Sequence, residues 1–330
     1  MTSTAAFPRS WPLRRVVTVV VIAAMLTVSA LRMEVPRMMG QAFDAVLGAA
    51  GLVAPSEAGA ALGAMAGRMW PLEISSRRDI ETIEGFDPTR LPAFTHVETT
   101  RDAGRALDHE TLRPSTVTRT TVWLVHPFGY ALHVAAKMVE TIEIALWGTL
   151  FALAMGLPLG LASARPLVRS APIRQAARGI CAMLRAVPEL LSALFLVTAF
   201  GFGPTAGVFA LGLHAAGFLG KFYADAIEDA DQAPVRALLA AGASRIATFR
   251  FALVPQVRAP FVTSTFYILD RNVRMATVVG IVGAGGIGQE LKGRIDMYEY
   301  AHVGTILVAI LLVVVLLDQI AARLRRQTYP

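Results

Sequence analysis

The sequence predicts an all-α polytopic membrane protein with about six transmembrane helices, on three observations. Of the 330 residues, 55% are hydrophobic and 17% charged, and a mean hydropathy of +0.53 is too apolar for a soluble domain of this size. Apolar runs of spanning length recur between short basic segments. Those segments alternate: sixteen arginines and lysines fall in loops that would share one side, against two in the short loops of the other. Such a bias places the basic loops, and here both termini, in the cytoplasm. The net charge of +7 suits a partner surface of anionic lipid, and its distribution argues for a bilayer and against nucleic acid. A single cysteine, Cys181, excludes an internal disulfide and a cysteine metal cluster; it is assigned to packing.

Each element follows in order. Within 1–33, Arg14 and Arg15 precede an uncharged run from Val16 to Leu31, about 24 Å of helix and enough for a short first span. A cleaved signal peptide ending at Val28-Ser29-Ala30 is the rival reading. Residues 34–138 read as an extracytoplasmic insert, alanine- and glycine-rich to Gly67, then charged and broken by Asp87, Pro88, Pro92, Asp108 and Pro114. The eleven basic residues from Arg32 to Lys137 do not weigh on orientation, because long loops cross largely regardless of charge. Thr116 to Val125 has the composition of a strand. His96 and His109 stand among acids and arginines as surface residues, and no metal site is expected.

Residues 139–326 read as the transmembrane domain. Ile144 to Ala164 is uncharged for 21 positions, and Arg165, Arg169, Arg174 and Arg178 follow as a basic loop. The next apolar stretch is broken at Gly201-Phe-Gly-Pro204. Its first half reaches spanning length only if it starts near Ala182, drawing Arg185 and Glu189 into one helix. Four apart, they would share a face and neutralise each other, as a structural pair or as part of a transport path. The second half, from about Thr205 to Phe222, holds His214 as a hydrogen-bonded packing residue. Residues 225–258 predict a cytoplasmic helix-turn-helix elbow. Pro234 would start its first helix with Asp229 and Asp231 ahead, Gly242 close it, Ser244 cap the second and Pro255 stop that one. Leu238 and Leu239 on one side, with Arg236, Arg245 and Arg250 elsewhere, form a surface suited to docking a partner. A fifth span is expected over Phe261 to Val282 and a sixth over His302 to Ala321.

The fifth span carries the ionisable groups that membrane depth makes costly. Asp270 and Arg274 are spaced to pair, while Arg271 points about 100° away round the helix and is left over. A net-positive interior suits passage of an anion; the alternative is that all these groups are structural pairs. Gly283-Ala-Gly285-Gly286-Ile-Gly288 formally satisfies the dinucleotide fingerprint, but it follows a membrane-length run with no strand and no acid about twenty residues on. These glycines instead let the backbone leave the helix and pack closely, at the outer mouth of a pathway. No phosphate loop and no catalytic constellation occurs, so the chain is expected to be no enzyme and to hold no cofactor or metal. ATP, if used, would be bound with magnesium by another chain.

The segments Glu140-Thr-Ile-Glu-Ile-Ala-Leu-Trp-Gly-Thr149, Arg185-Ala-Val-Pro-Glu-Leu190, Gly201-Phe-Gly-Pro-Thr-Ala-Gly-Val208, Val254-Pro-Gln256 and Asn272 to Gly288 together resemble the permease subunit of phosphonate ABC transporters, the PhnE type, over roughly residues 140–326. The resemblance implies the type I, MetI-like importer fold. It also implies two cytoplasmic ABC ATPase subunits, a periplasmic binding protein and a second permease copy as a homodimer; the ionisable residues themselves assign the path to Asp270, Arg271, Asn272 and Arg274 with Arg185 and Glu189. Importers of this kind share a coupling loop with Glu-Ala-Ala, then glycine, then Ile-x-Leu-Pro. Here those positions are Arg236, Ala237, Leu238, Gly242, Ala252, Val254 and Pro255, so the usual glutamate is replaced by Arg236. The substrate implied is phosphonate or a related oxyanion such as phosphite or phosphate. A methionine-type permease, a passive anion channel or scaffold, and a membrane dehydrogenase are the other readings.

Overall fold

The computed structural model describes residues 13–49, 57–84, 86–87, 91–92, 94–107 and 114–328. Arg9, Pro88, Asp108 and His109 lie outside them. By packing, the chain divides into residues 1–70 and 71–330. The first unit holds α1 (Leu13–Arg32), α2 (Val35–Ala49) and α3 (Glu57–Arg68). Helix α1 ends where Glu34 takes a left-handed φ of 52°, and its valines, Met25, Leu26 and Leu31 are exposed, as on a helix solvated by lipid.

The second unit begins with a three-stranded antiparallel sheet ordered β1-β3-β2: β1 (Ser76–Asp79), β2 (His96–Leu107) and β3 (Pro114–His126). Strand β3 contains the expected Thr116–Val125 segment, and its β-branched residues suit the pleat. Ser76 pairs with His126 and His96 with Val125, and Leu124 and Val125 are buried.

Helix α4 (Gly129–Ser163) follows, 35 residues long. It begins well before the uncharged run because Lys137, Glu140 and Glu143 are helical too. Then come α5 (Ala171–Ala186), α6 (Glu189–Phe200), α7 (Pro204–Glu228), α8 (Gln232–Ala240), α9 (Arg245–Thr248), α10 (Val254–Gly280), α11 (Gly286–Asp296) and α12 (Tyr300–Thr328). The centre is the parallel pair α4 and α7. Gly148, Ala152, Gly156 and Gly160 form a small-residue stripe at spacing four, which lets the two backbones approach. A Cβ on Gly156 would stand 2.9 Å from that of Leu219, and one on Gly160 2.7 Å from that of Tyr223.

Among the described residues, α1, α4, α7 and α12 are long and apolar enough to cross a membrane, and α5 with α6 would make a fifth span. Helix α10 has 27 residues and thus the length, but Arg258, Asp270, Arg271 and Arg274 make it too polar to count by composition. Two local expectations are overturned. The third span is not one helix: α5 and α6 meet at 84°, because Val187 ahead of Pro188 is forced into an extended conformation (φ −81°, ψ 119°). Nor does Pro255 stop a helix. The chain passes from α9 through a π turn at Phe249–Leu253 straight into α10, whose first turn holds Pro255, where a missing N–H costs nothing.

Candidate transport site

The elbow between α7 and α10 is built by its caps. Asp231 Oδ1 accepts from Ala233 N (2.9 Å) at the start of α8, so the helix begins ahead of Pro234. At its end Ala243 N donates to Leu238 O and Gly242 N to Leu239 O, a double closure that requires the left-handed φ of 83° at Gly242. Ser244 Oγ then accepts from Ala247 N (3.2 Å). The resulting surface exposes Leu239, Ile246 (81%) and Phe251 (68%) together with Arg236, Ala237, Arg245 and Arg250, an apolar patch in a basic surround.

At the opposite end of the bundle the glycine turn reverses α10 into α11. Gly283, Gly285 and Gly286 have φ of 94°, 85° and 71°, which a residue with a Cβ adopts only under strain. Gly288 packs so tightly that a Cβ would stand 2.0 Å from Thr277 O. Helix α4 caps the reversal: Glu140 Oε1 accepts from Gly286 N (2.9 Å) and Thr141 Oγ1 from Ile287 N (2.8 Å). Beyond it Glu290 accepts from Arg294 Nε (2.8 Å) and faces His133 Nε2 at 3.3 Å. Burial would raise the Glu290 carboxyl, but hydrogen bonds from Arg294 and His133, with their charges, hold it below the usual carboxylate range. Arg294 is held more firmly protonated: burial opposes this, and its hydrogen bonds to Glu299 and Glu290 outweigh it.

Between these ends lie the ionisable groups, and the structure pairs them differently from the expectation. Arg185 and Glu189 do not neutralise each other, because the bend at Val187-Pro188 separates their helices. Glu189 Oε1 instead accepts from Arg271 Nη2 (2.8 Å), so Arg271 is not the leftover charge. His214 completes the group: its Nδ1 lies 2.9 Å from Val187 O and its Nε2 3.0 Å from Arg271 Nη2. The same Nε2 lies 3.2 Å from Glu189 Oε2, so the three side chains close on one another. Glu189, His214 and Arg271 are 14%, 8% and 23% exposed by side chain, so the triad ties the α5–α6 bend to α7 and α10. Arg274 pairs with Asp270 as expected (2.8 Å) and also with Asp318 of α12 (3.1 Å). Of the cations expected along the path, Arg185 is the one with no carboxylate partner among the described residues. Its Nε donates to Cys181 O (3.2 Å), and its guanidinium lies 5.6 Å from the Phe218 ring, which Arg271 approaches to 5.0 Å.

Asn272 is brought to a different place from the arginines. It is 1% exposed, and its Nδ2 donates to Thr149 Oγ1 (2.9 Å), locking α10 onto α4. An open trough of about 530 Å³ runs between α7 and α10, lined by Phe222, Thr263, Ser264, Tyr267 and Asp270. Sequence reasoning missed three partners: His214 as a ligand of Arg271, Asp318, and Glu140 with Thr141 as the cap on α11. Asp318 carried a signal, as the one acid in an otherwise uncharged stretch from Val303 to Ala322.

The chain matches the family of binding-protein-dependent transport system inner membrane components over residues 156–328. It is 48% identical over 260 residues to HtxE of Stutzerimonas stutzeri, named for a phosphite transport system permease, covering 78% of this chain and 98% of that protein. It is also 40% identical over 189 residues to the phosphite transport system permease protein PtxC of the same organism, covering 57% and 69% respectively. A membrane chain of the inward-facing MetNI methionine ABC transporter aligns with a TM-score of 0.54 at 23% identity, over 60% of this chain and 96% of that one. At that identity the likeness is one of fold. An apolar bundle, a capped elbow at one end and ion-paired arginines on a long helix thus converge with these matches: the chain belongs to the binding-protein-dependent transport system inner membrane component family.

Proposed function

We propose that the chain is the permease subunit of an ATP-driven importer that carries phosphite, a phosphonate or a related phosphorus oxyanion across the inner membrane. The observation that carries this reading is the pair of arginines on α10, each held by at least one carboxylate from another element: Arg271 by Glu189, and Arg274 by Asp318 as well as by its own helix's Asp270. An arginine fork matches a tetrahedral oxyanion as well as it matches a carboxylate. A passing anion therefore competes with the internal carboxylates for these forks, and each carboxylate it displaces must turn to water or to another donor, as Glu189 can to His214. Two relatives named for phosphite transport support the choice of substrate, whereas the methionine importer supports only the fold.

In this reading the elbow end is cytoplasmic and so are both termini, which the basic loops favour. The elbow docks into an ABC ATPase subunit through Leu239, Ile246 and Phe251, with Arg236 at the position of the usual acid. The ATPase binds ATP and Mg²⁺, and this chain holds no cofactor. Two copies face each other across the trough between α7 and α10. A periplasmic binding protein delivers the anion near the glycine turn, Gly283 to Gly288, which shapes the outer mouth. Closure of the ATPases moves the elbows, and the path switches its open side.

The test is uptake of a labelled phosphonate, with phosphite and phosphate as competitors, in cells with and without this gene. Uptake lost with the gene and suppressed by phosphite is the expected outcome. Unchanged uptake of all three anions would overturn the substrate reading.

A further inference from the structure

A second set of basic groups lies closer to the elbow end, apart from the arginines of α10. Ser163 at the end of α4, Arg178, Cys181 and Arg185 of α5, and Lys221, Ala224 and Asp225 of α7 line a cavity of about 150 Å³, open on the side of Lys221 and Asp225, which are about half exposed. That is room for an ion of a few heavy atoms with a water or two. The wall is held open by backbone packing above it: Gly217 and Gly220 let α5 abut α7, and a Cβ on either would stand 2.6 Å from Cys181 O or 2.7 Å from Cys181 Sγ.

The charges in the wall are unequal. Arg178 is committed to Glu228 and to Ser163 O (3.0 Å), and Lys221 pairs with Asp225 at 3.2 Å. Arg185 brings a third positive charge with no carboxylate against it. Ser163 is fully buried, and its Oγ meets no oxygen or nitrogen partner among the described residues; the Cys181 thiol beside it offers only a weak hydrogen bond. A buried hydroxyl with only a thiol beside it is under-satisfied, and the half-buried Arg185 has a carbonyl and a ring for partners but no counter-ion among the described residues. One small anion with acceptor oxygens relieves both.

We propose that this cavity binds a tetrahedral phosphorus oxyanion at the cytoplasmic end of the path, with Arg185 supplying the charge, the Ser163 hydroxyl a donor, and Lys221 a second cation that exchanges from Asp225. The proposal rests on the reading of the chain as a permease for such anions. Through Phe218, against which both Arg185 and Arg271 lie, the cavity is the next cationic position after the Glu189–Arg271–His214 triad. An anion leaving Arg271 would pause there before release, and a high cytoplasmic concentration would fill it and slow further transport. The same chemistry is offered by the phosphate of a lipid headgroup.

Cys181, the only cysteine of the sequence, reports on the cavity directly. The full-length permease is placed in nanodiscs of phosphatidylcholine, and the rate of Cys181 modification by a small methanethiosulfonate is measured with and without inorganic phosphate or methylphosphonate. At a free concentration about four times Kd, modification should slow about fivefold, since protection grows as 1 + [L]/Kd. The Arg185→Gln and Ser163→Ala variants should lose most of that protection. A parallel titration in maltoside micelles follows ³¹P line broadening of phosphate and serves where the thiol is too slow to label. Protection that needs phosphatidylglycerol in the disc and ignores free phosphate assigns the site to lipid. No protection and no broadening by either source, or protection unchanged in Arg185→Gln, overturns the proposal. Because the readout is binding and not uptake, protection with no phosphonate uptake in cells would leave the cavity standing while the substrate reading falls, and the reverse result would do the opposite.

Discussion

Arg271 and Glu189 show how one residue's role depends on where the backbone takes its neighbour. Truncating either alone leaves a partly buried charge without its partner, at a cost of about 3–5 kcal/mol, so a single Arg271→Ala variant confounds folding with transport. The double variant Glu189→Gln with Arg271→Gln removes both charges. It should assemble to normal yield and import the oxyanion at less than about a tenth of the parent rate, a loss equivalent to roughly 1.4 kcal/mol; transport at the parent rate would remove Arg271 from the path. Glu290 gives a pH test at the other end. Its folded-state pKa lies below the free carboxylate value of about 4.3, so its stabilisation is complete above that value and is lost as pH falls through the depressed one. The melting temperature in detergent should hold from neutrality down to that range and then drop. Glu290→Gln should start lower and show a smaller acid drop. That Arg274 would find Asp270 was legible in the sequence, because the spacing of four lies within an unbroken helix. That Arg185 would not find Glu189 was hidden in the local chemistry of Val187-Pro188, whose extended geometry overrides the same spacing. His214 as a partner of Arg271 lies 57 positions away, and no local rule reaches that far.

Among the elements, the elbow was the most legible, since caps and turns are short-range chemistry. Asp231, Gly242 and Ser244 act where their residue types are strongest, while the start of α8 two residues ahead of Pro234 and the π turn, with Ala252 and Leu253 buried, escaped. Replacing Gly242 by valine forces a β-branched residue to φ 83°, a strain of about 1–3 kcal/mol. The expected result is a permease that inserts normally but no longer co-purifies with its ATPase. Gly286 offers a harsher case. Its φ is 71°, and a Cβ there would lie 2.6 Å from Thr141 Oγ1, so Gly286→Ala should displace the α4 cap and lower the yield of folded protein in detergent.

For the molecule as a whole, the helical class and most span positions followed from hydropathy, whereas the three-stranded sheet was visible only as the composition of β3. Strand partners as far apart in the chain as Ser76 and His126 are fixed by tertiary pairing, which periodicity does not record. Orientation is testable at this scale. Alkaline phosphatase fused within 108–113 should be active and the same enzyme fused after Thr328 inactive, with a green fluorescent protein at the second site bright; the opposite pattern would invert the assignment of the elbow to the cytoplasm.

Helix α4 is about 52 Å long at 1.5 Å per residue, against a hydrocarbon layer of about 30 Å. Its uncharged part fills that layer, and the turns from Gly129 to Glu143 rise beyond it like a mast with β3 at its head. With the glycine-turn end outward, as proposed, an arriving protein would meet this outpost before it met the lipid surface. The same turns carry Glu140 and Thr141, so the outpost and the cap on the glycine turn are one piece of helix: shortening it would unmake the outer mouth as well.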